Sequence, residues 1–283
     1  MRKPLIGFIG QGWIGKNYAD NFESRRYKVV RYSLEPGYIN NKSKISSCDI
    51  TFIAVPTPTT VKGSDDKIIR NVMGLIGKGK TVVIKSTILP GTTREIQALN
   101  KDIFILHSPE FLREAHARED TDKPFRSIIG IPKNSKIFRE KAKEVMRVLP
   151  KAKFNKICTS NESEMIKYVS NCLPFTKLVF LNLIYDLCQK TGCDYEVLKE
   201  TMVADPMISN FHLNAVHKDG RGAGGDCLIK DFAALRQYFA SVSNDTLGLN
   251  VFKSIEKKNI DLLKKSNKNV KLIESVYGNN TNL

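Results

Sequence analysis

The chain has 283 residues, 41% hydrophobic and 26% charged, an ordinary globular composition that excludes a disordered or fibrous chain. Lys and Arg number 45 against 29 Asp and Glu, and the formal charge of +16 favours anionic partners: phosphorylated cofactors, nucleotide sugars, nucleic acid or acidic membrane. No run approaches the roughly 18 apolar residues of a membrane span. No signal-peptide pattern follows "MRKPLIGFIG", and the cysteines form no CxxC pair, so a soluble cytoplasmic protein is expected.

The first element is the apolar run "LIGFIG", read as a strand, which leads straight into Gly10, Gly12 and Gly15 and the amphipathic stretch "GKNYADNFESRR". GxGxxG between a strand and a helix is the dinucleotide-binding pattern. Gly10 makes the tight turn, Gly12 lets a pyrophosphate approach the backbone, and Gly15 permits close helix packing, with the phosphates on the helix N-terminus. Gln11, Trp13 and Ile14 belong to the same turn and are assigned to the cofactor with it. The competing reading is a turn that needs glycines for its backbone alone. The second strand, "KVVRY", ends at Ser33, where a carboxylate for the adenosine ribose is expected. The expected cofactor is NAD. NADP stays open because Arg31 and Ser33 suit a 2′-phosphate, while Glu35 is two residues from the expected position.

Further apolar runs follow: "CDITFIAV", "KTVVIKS", "DIFILHS" and "RSIIGI", separated by polar stretches such as "DDKIIRNVMGLIGKG". The pattern predicts a doubly wound parallel sheet with helices on both faces, and residues 1–157 as a Rossmann-like NAD(P)-binding domain. After "FNKICTSNESEM" the period changes. From Ser160 to Lys190 there is no glycine, and Met165, Tyr168, Cys172, Phe175, Val179 and Leu183 recur at helical spacing. This predicts a long amphipathic helix capped by Ser160 or Asn161 and kinked at Pro174, with an apolar face wide enough to pair two copies in a homodimer. A helix over Tyr195–Met202, a glycine loop and a helix from Lys230 to about Ala240 come next. The Lys- and Asn-rich tail from Lys253 reads as a surface helix with a frayed end. Residues 158–283 are thus expected to form an all-helical central and dimerisation domain.

Five segments stand in order: "VPTPT" (55–59), "KSTILPGTT" (85–93), "SPEFLREAHA" (108–117), "SEMIKYVSN" (163–171) and "DGRGAGGDCLIKD" (219–231). With them the chain resembles the UDP-glucose/GDP-mannose dehydrogenase family over residues 1 to about 240. The resemblance implies oxidation of the C6 alcohol of a nucleotide sugar to a carboxylate by two hydride transfers to NAD, giving a uronic acid for polysaccharide biosynthesis. Cys227 matches the family nucleophile, which holds the aldehyde as a thiohemiacetal and then a thioester. Lys167 and Asn171 match the pair that orients and polarises the reacting oxygen. Asp231 matches the aspartate that works with this lysine through a water, and Thr87 the threonine that holds that water. Glu110 and Glu114, four residues apart, match the glutamates at the reacting centre, with Glu110 the better base. Val55, Pro56, Thr57, Thr87, Ser33 and Lys230 are implied on the cofactor side, and Phe111, Leu112, Arg113, Arg221 and Gly224 on the substrate side.

Taken singly, these residues have plainer readings. A cysteine in an apolar segment is most often inert core, and a Glu pair suits a helix N-terminus. Cys48, Cys158, Cys172, Cys188 and Cys193 are assigned to packing, and the four histidines have no ligand spacing, so no metal is expected.

The chain also departs from the family pattern. Only 52 residues follow Asp231, too few for the family's third domain, so the nucleotide cup is expected to be absent, supplied by another chain, or unneeded. Met207 stands where an arginine is usual, Ala223 where an aromatic is common, and Asp226 where serine is common. A carboxylate beside Cys227 raises the thiol pKa unless Lys230 or Lys167 offsets it. Two other readings follow: a β-hydroxyacid-dehydrogenase-like single oxidation, which needs no cysteine, and a degenerate cofactor-binding scaffold. Without aromatic-basic interleaving, the charge is read as solvated surface, and neither nucleic acid nor membrane is expected as a partner.

Overall fold

The computed structural model describes residues 2–218 and 220–278. The chain divides into two compact units, one comprising residues up to Thr57 with Asp65–Lys167, the other Pro58–Ser64 with Tyr168 onward. In chain order the first unit contains β1 (Ile6–Ile9), α1 (Trp13–Ser24), β2 (Val29–Tyr32) and β3 (Ile50–Ile53). The hairpin β4 (Thr59–Thr60) and β5 (Gly63–Ser64) belongs to the second unit. The first then resumes with α2 (Lys67–Val72), β6 (Thr81–Ile84), α3 (Thr92–Leu99), β7 (Phe104–His107), α4 (Ala117–Asp122), β8 (Arg126–Ile131), α5 (Lys136–Val148) and β9 (Phe154–Thr159).

Seven strands form one sheet in the order β2-β1-β3-β6-β7-β8-β9. Its strands alternate between two cores with period two. Phe8, Phe52, Val83 and Leu106 face α1 and α5, whereas Ile9, Ile53, Ile84 and Ile105 face α2 and α3. This is the Rossmann-like doubly wound architecture, with one change: β8 pairs antiparallel to β7 and parallel to β9, so the sheet is mixed rather than wholly parallel. The β7–β8 connection carries only the six residues of α4 and a single 3-10 turn, so the chain returns antiparallel instead of crossing over. Strand β9 was not expected. "FNKICT" is mostly exposed along the sheet edge, where the apolar run that marks a buried strand is not required.

Helix α6 (Ser160–Thr191) is one continuous helix through Pro174. Its cap is Thr159, not Ser160 or Asn161: the Glu162 carboxylate accepts from the Thr159 backbone N–H at 2.7 Å and Thr159 Oγ1 accepts from the Glu162 backbone N–H, a capping box. From Tyr168 onward α6 belongs to the second unit, with α7 (Tyr195–Ala204), the β10 (Val216–His217) and β11 (Gly220–Arg221) bridge, α8 (Asp226–Val242), α9 (Thr246–Lys265) and α10 (Val270–Tyr277). Phe175 on α6 stacks on Phe232 on α8 with ring centroids 4.1 Å apart, both fully buried, each side chain contributing about 2–3 kcal/mol by burial.

Two expectations fail in this unit. Helix α8 begins at Asp226 rather than Lys230, so Cys227 lies in its first turn and not in the loop. The tail is not a surface helix, because Ile260, Leu263, Ile273, Val276 and Tyr277 are buried against Ile229 and Ala233 of α8. The frayed end falls at Asn279–Leu283, outside the described residues.

Candidate active site

In the first unit the glycine turn has the shape a dinucleotide needs. Gly10 has φ +92°, and a Cβ there would stand 2.2 Å from Ala54 O; one at Gly15 would stand 2.0 Å from Gly10 O. Above Gly12, by contrast, a Cβ meets nothing within 4 Å, and no side chain caps α1 there. Gln11 donates to Gly10 O at 3.0 Å while its buried Oε1 finds no partner among the described residues. Tight packing on two sides and open backbone on the third fit a pyrophosphate approaching the start of α1. Trp13 and Ile14 open that helix. Val55, Pro56 and Thr57 follow β3, across the switch point from β1, and Ser86 Oγ pins Val55 by donating to its carbonyl (2.7 Å) and accepting from its N–H (2.9 Å).

Ser33 follows β2 directly, and its Oγ accepts from the Glu35 backbone N–H at 3.3 Å. Arg31 is not held out for a 2′-phosphate. Its guanidinium is bound by Asp20 (2.6 Å) and Glu23 (2.7 Å) of α1, which neutralise it. This removes the main reason for considering NADP.

At the carboxyl ends of β6 and β7, Lys85, Ser108 and Glu110 lie against Tyr18 and Ile166 around a cavity of about 590 Å3. The carboxylate of Glu110 is fixed: Oε1 accepts from the backbone N–H groups of Phe111 (2.6 Å) and Leu112 (2.7 Å), and Oε2 is 3.5 Å from Lys85 Nζ. Burial lowers the Lys85 pKa and the neighbouring Glu110 opposes that shift; burial and Glu110 together raise the Tyr18 phenol. The Arg126 guanidinium lies 3.8 Å over the Phe111 ring, and Lys167 Nζ is 5.8 Å from the same ring. Lys167 and Glu110 thus belong to one charged cluster of this unit. Thr87 is half-buried just after β6.

Glu114 does not join Glu110. Residues 108–113 are not helical, so a spacing of four puts the two glutamates on no common face. Glu114 is exposed beside a separate cavity lined by Asn17, His116 and Glu119. Arg113 is drawn to Asp120, which accepts from its Nε, Nη2 and backbone N–H at 2.6–3.0 Å.

In the second unit Asn171 Nδ2 donates to Asp231 Oδ2 at 2.5 Å, and Lys230 forms an ion pair with Asp231 Oδ1. Asp231 is buried, and Cys227, exposed, stands one helical turn before it on α8. Arg221 is turned toward α6, with Nε on Asn182 Oδ1 (2.8 Å), Nη2 on Asn182 O (2.8 Å) and Nη1 on Asp186 (2.6 Å). Gly224 is half-buried beside Asn269 and Lys268.

Several residues of these clusters were not singled out from sequence. Lys85 extends the buried run "TVVI", and a lysine continuing a fully apolar strand needs a charged partner, a signal that was present. Glu164 lies in a quoted motif, yet its role is distant: its carboxylate accepts from Gly91 N (2.6 Å), Thr93 N (2.9 Å) and Thr93 Oγ1 (2.5 Å), capping α3 from α6. No sequence signal pairs residues 71–73 positions apart.

Residues 33–149 match the NAD-binding domain of the UDP-glucose/GDP-mannose dehydrogenase family, and residues 161–261 its central domain. The UDP-glucose 6-dehydrogenase of Rickettsia conorii is 34% identical over 259 residues, covering 87% of this chain and 58% of that protein, so the chain spans under two thirds of this relative's length. The UDP-glucose dehydrogenase of Pyrobaculum islandicum aligns with a TM-score of 0.79 at 24% identity, covering 96% of this chain and 71% of that one. The 3-hydroxyisobutyrate dehydrogenase of Mycobacterium tuberculosis aligns with a TM-score of 0.70 at 15% identity, covering 92% and 96%. These two likenesses concern the fold alone. With both family domains matched in order over most of its length, the chain belongs to the UDP-glucose/GDP-mannose dehydrogenase family.

Proposed function

We propose that the chain is a nucleotide-sugar 6-dehydrogenase of the UDP-glucose 6-dehydrogenase kind, oxidising a sugar C6 alcohol to a carboxylate with NAD. The observation that carries the reading is the Asn171–Asp231 hydrogen bond with Cys227 one turn away on the same face of α8, the arrangement the family chemistry calls for. Gly10, Gly12 and Gly15 would hold the cofactor, which when bound accepts one hydride in each of two steps.

In the first oxidation Lys167 stabilises negative charge on the reacting oxygen as the C6 hydride leaves, and the hydroxyl proton passes to a water held by Thr87 and Asp231. The Cys227 thiolate then adds to the aldehyde carbon, forming a C–S bond while the aldehyde oxygen takes up a proton. Loss of the second hydride and of that proton gives the thioester. Water oriented by Glu110 adds to the thioester carbonyl, giving one proton to Glu110 and the other to solvent, the C–S bond breaks, and the carboxylate leaves with the sulfur returned to thiolate. Asn171 orients the reacting oxygen throughout. Phe111, Leu112 and Gly224 contact substrate, while Arg113 and Arg221, bound by Asp120 and Asp186, shape its surroundings.

The reading includes a cytoplasmic homodimer. Val169, Leu173, Phe180, Leu183 and Leu187 leave an exposed apolar stripe along α6 for a second copy to cover.

The test is incubation with NAD and UDP-glucose, UDP-N-acetylmannosamine or GDP-mannose. Two NADH should form per acid, and Cys227→Ser should release aldehyde. Turnover of none of the three defeats the proposal, and undiminished turnover by Cys227→Ala favours a single oxidation.

A further inference from the structure

We propose that the corner between α9 and α10 is the mould that sets the position of Cys227, with Asn259 and Asn269 as positioning residues for that thiol. The inference rests on reading Cys227 as the nucleophile. Asn259, buried on α9, grips both backbone groups of one loop residue: Oδ1 accepts from Ala223 N at 2.6 Å and Nδ2 donates to Ala223 O at 3.0 Å. Ser266 Oγ accepts from Arg221 N at 2.9 Å. Asn269 Oδ1 accepts from Gly225 N at 3.2 Å.

Gly225 is the residue from which α8 winds, since its carbonyl accepts the first-turn bond from Ile229 N at 3.3 Å. Fixing Gly225 therefore fixes where the helix starts, and Cys227 is the second residue of that helix. A thiol in the first turn of a helix lies at the positive end of the helix dipole, which favours its thiolate.

The loop sequence follows from the same contact. A Cβ at Gly224 would stand 2.5 Å from Asn269 Oδ1, and one at Gly222 3.0 Å from Asn259 Oδ1, so the loop lies flush on the corner only as glycine. Asn269 itself has φ +55°, a left-handed conformation that asparagine tolerates. Ser266 and Asn269 lie beyond the family's central-domain match, which ends at residue 261. The clamp is thus built partly from a segment outside the recognised family core.

The experiment is iodoacetamide modification of the full chain at fixed pH, with Cys227 followed by peptide mass spectrometry and the exposed Cys193 as internal reference. Asn269→Gly keeps the left-handed backbone and removes the amide; it should slow Cys227 relative to Cys193 by roughly two- to tenfold, the range one hydrogen bond supports. Asn269→Asp retains the acceptor and, compared with the parent in 0.5 M salt where its added charge is screened, should restore the rate, a rescue that general loosening of the fold does not give. Asn259→Ala should slow Cys227 further; should it fail to fold, Asn269→Gly at the half-buried corner carries the test. An unchanged or faster Cys227 rate in Asn269→Gly, or no recovery in Asn269→Asp, overturns the proposal. A clamp effect in a chain that turns over no nucleotide sugar would sink the functional reading while leaving the clamp intact.

Discussion

Lys85 Nζ lies 3.5 Å from Glu110 Oε2, with the two side chains only 2% and 4% exposed. Ser108 O accepts from the same ammonium at 3.3 Å, and the Tyr18 ring lies beneath it at 4.2 Å. Neither charge is tolerable at this depth without the other. Lys85→Met should therefore destabilise the chain by about 3–5 kcal/mol, because it strands a buried carboxylate. The double variant Lys85→Met with Glu110→Gln should recover much of that loss. Urea denaturation of the parent, Lys85→Met, Glu110→Gln and the double variant gives the coupling energy, and a near-zero value would refute the pairing.

Glu164 supplies a pH signature. Burial raises its carboxyl to about 7 against the pull of three hydrogen bonds from Gly91 and Thr93. The folded chain then binds a proton that the unfolded chain has already released near 4.5, so the site's contribution is full below that pH. It is lost as pH rises toward 7. Glu164→Gln does not titrate, so its stability should fall less than the parent's between pH 4.5 and 7. Denaturation midpoints across that range check the sign; identical slopes would exclude Glu164 as the source.

Features set by neighbours in sequence were legible, and those set by distant neighbours were not. The glycine turn was readable because Gly10, Gly12 and Gly15 act within six residues, and α6 because its period persists through 32. The early start of α8 was missed because "GGDC" reads as loop; only the Asn269 and Asn259 contacts show why the helix begins there. The pairing of Glu110 with Glu114 failed for a related reason, since i, i+4 spacing has meaning only inside a helix. Edge strand β9 was invisible because no core imposes an apolar pattern on it.

Asp226 directly precedes Cys227 in the first turn of α8, and the Lys230 ammonium is engaged by Asp231 rather than standing as an unpaired counter-charge. A neighbouring carboxylate opposes a second negative charge on sulfur. Asp226→Asn should therefore raise the rate of Cys227 alkylation near neutral pH by about three- to tenfold at low ionic strength, and the gain should shrink in 0.5 M salt as screening takes over. Rates measured at both salt concentrations check this. A gain that ignores salt would mean the aspartate acts through local structure, not charge.

Gly10 and Gly12 separate folding from cofactor binding. Gly10→Ala forces a side chain into a left-handed conformation with Ala54 O only 2.2 Å away, so it should lower stability by several kcal/mol or prevent folding. Gly12 has φ −63° and ψ −177°, which alanine adopts freely, and its Cβ meets nothing within 4 Å. Gly12→Ala should accordingly fold with a Tm within a few degrees of the parent, because exchanging glycine for alanine at an N-cap costs only about 0.5–1 kcal/mol. That methyl nevertheless occupies the space through which a pyrophosphate would reach the first turn of α1. NADH affinity, followed by nicotinamide fluorescence, should fall at least about tenfold while the thermal transition stays in place. Equal loss of affinity and stability would show that the open space above Gly12 is not where the dinucleotide lies.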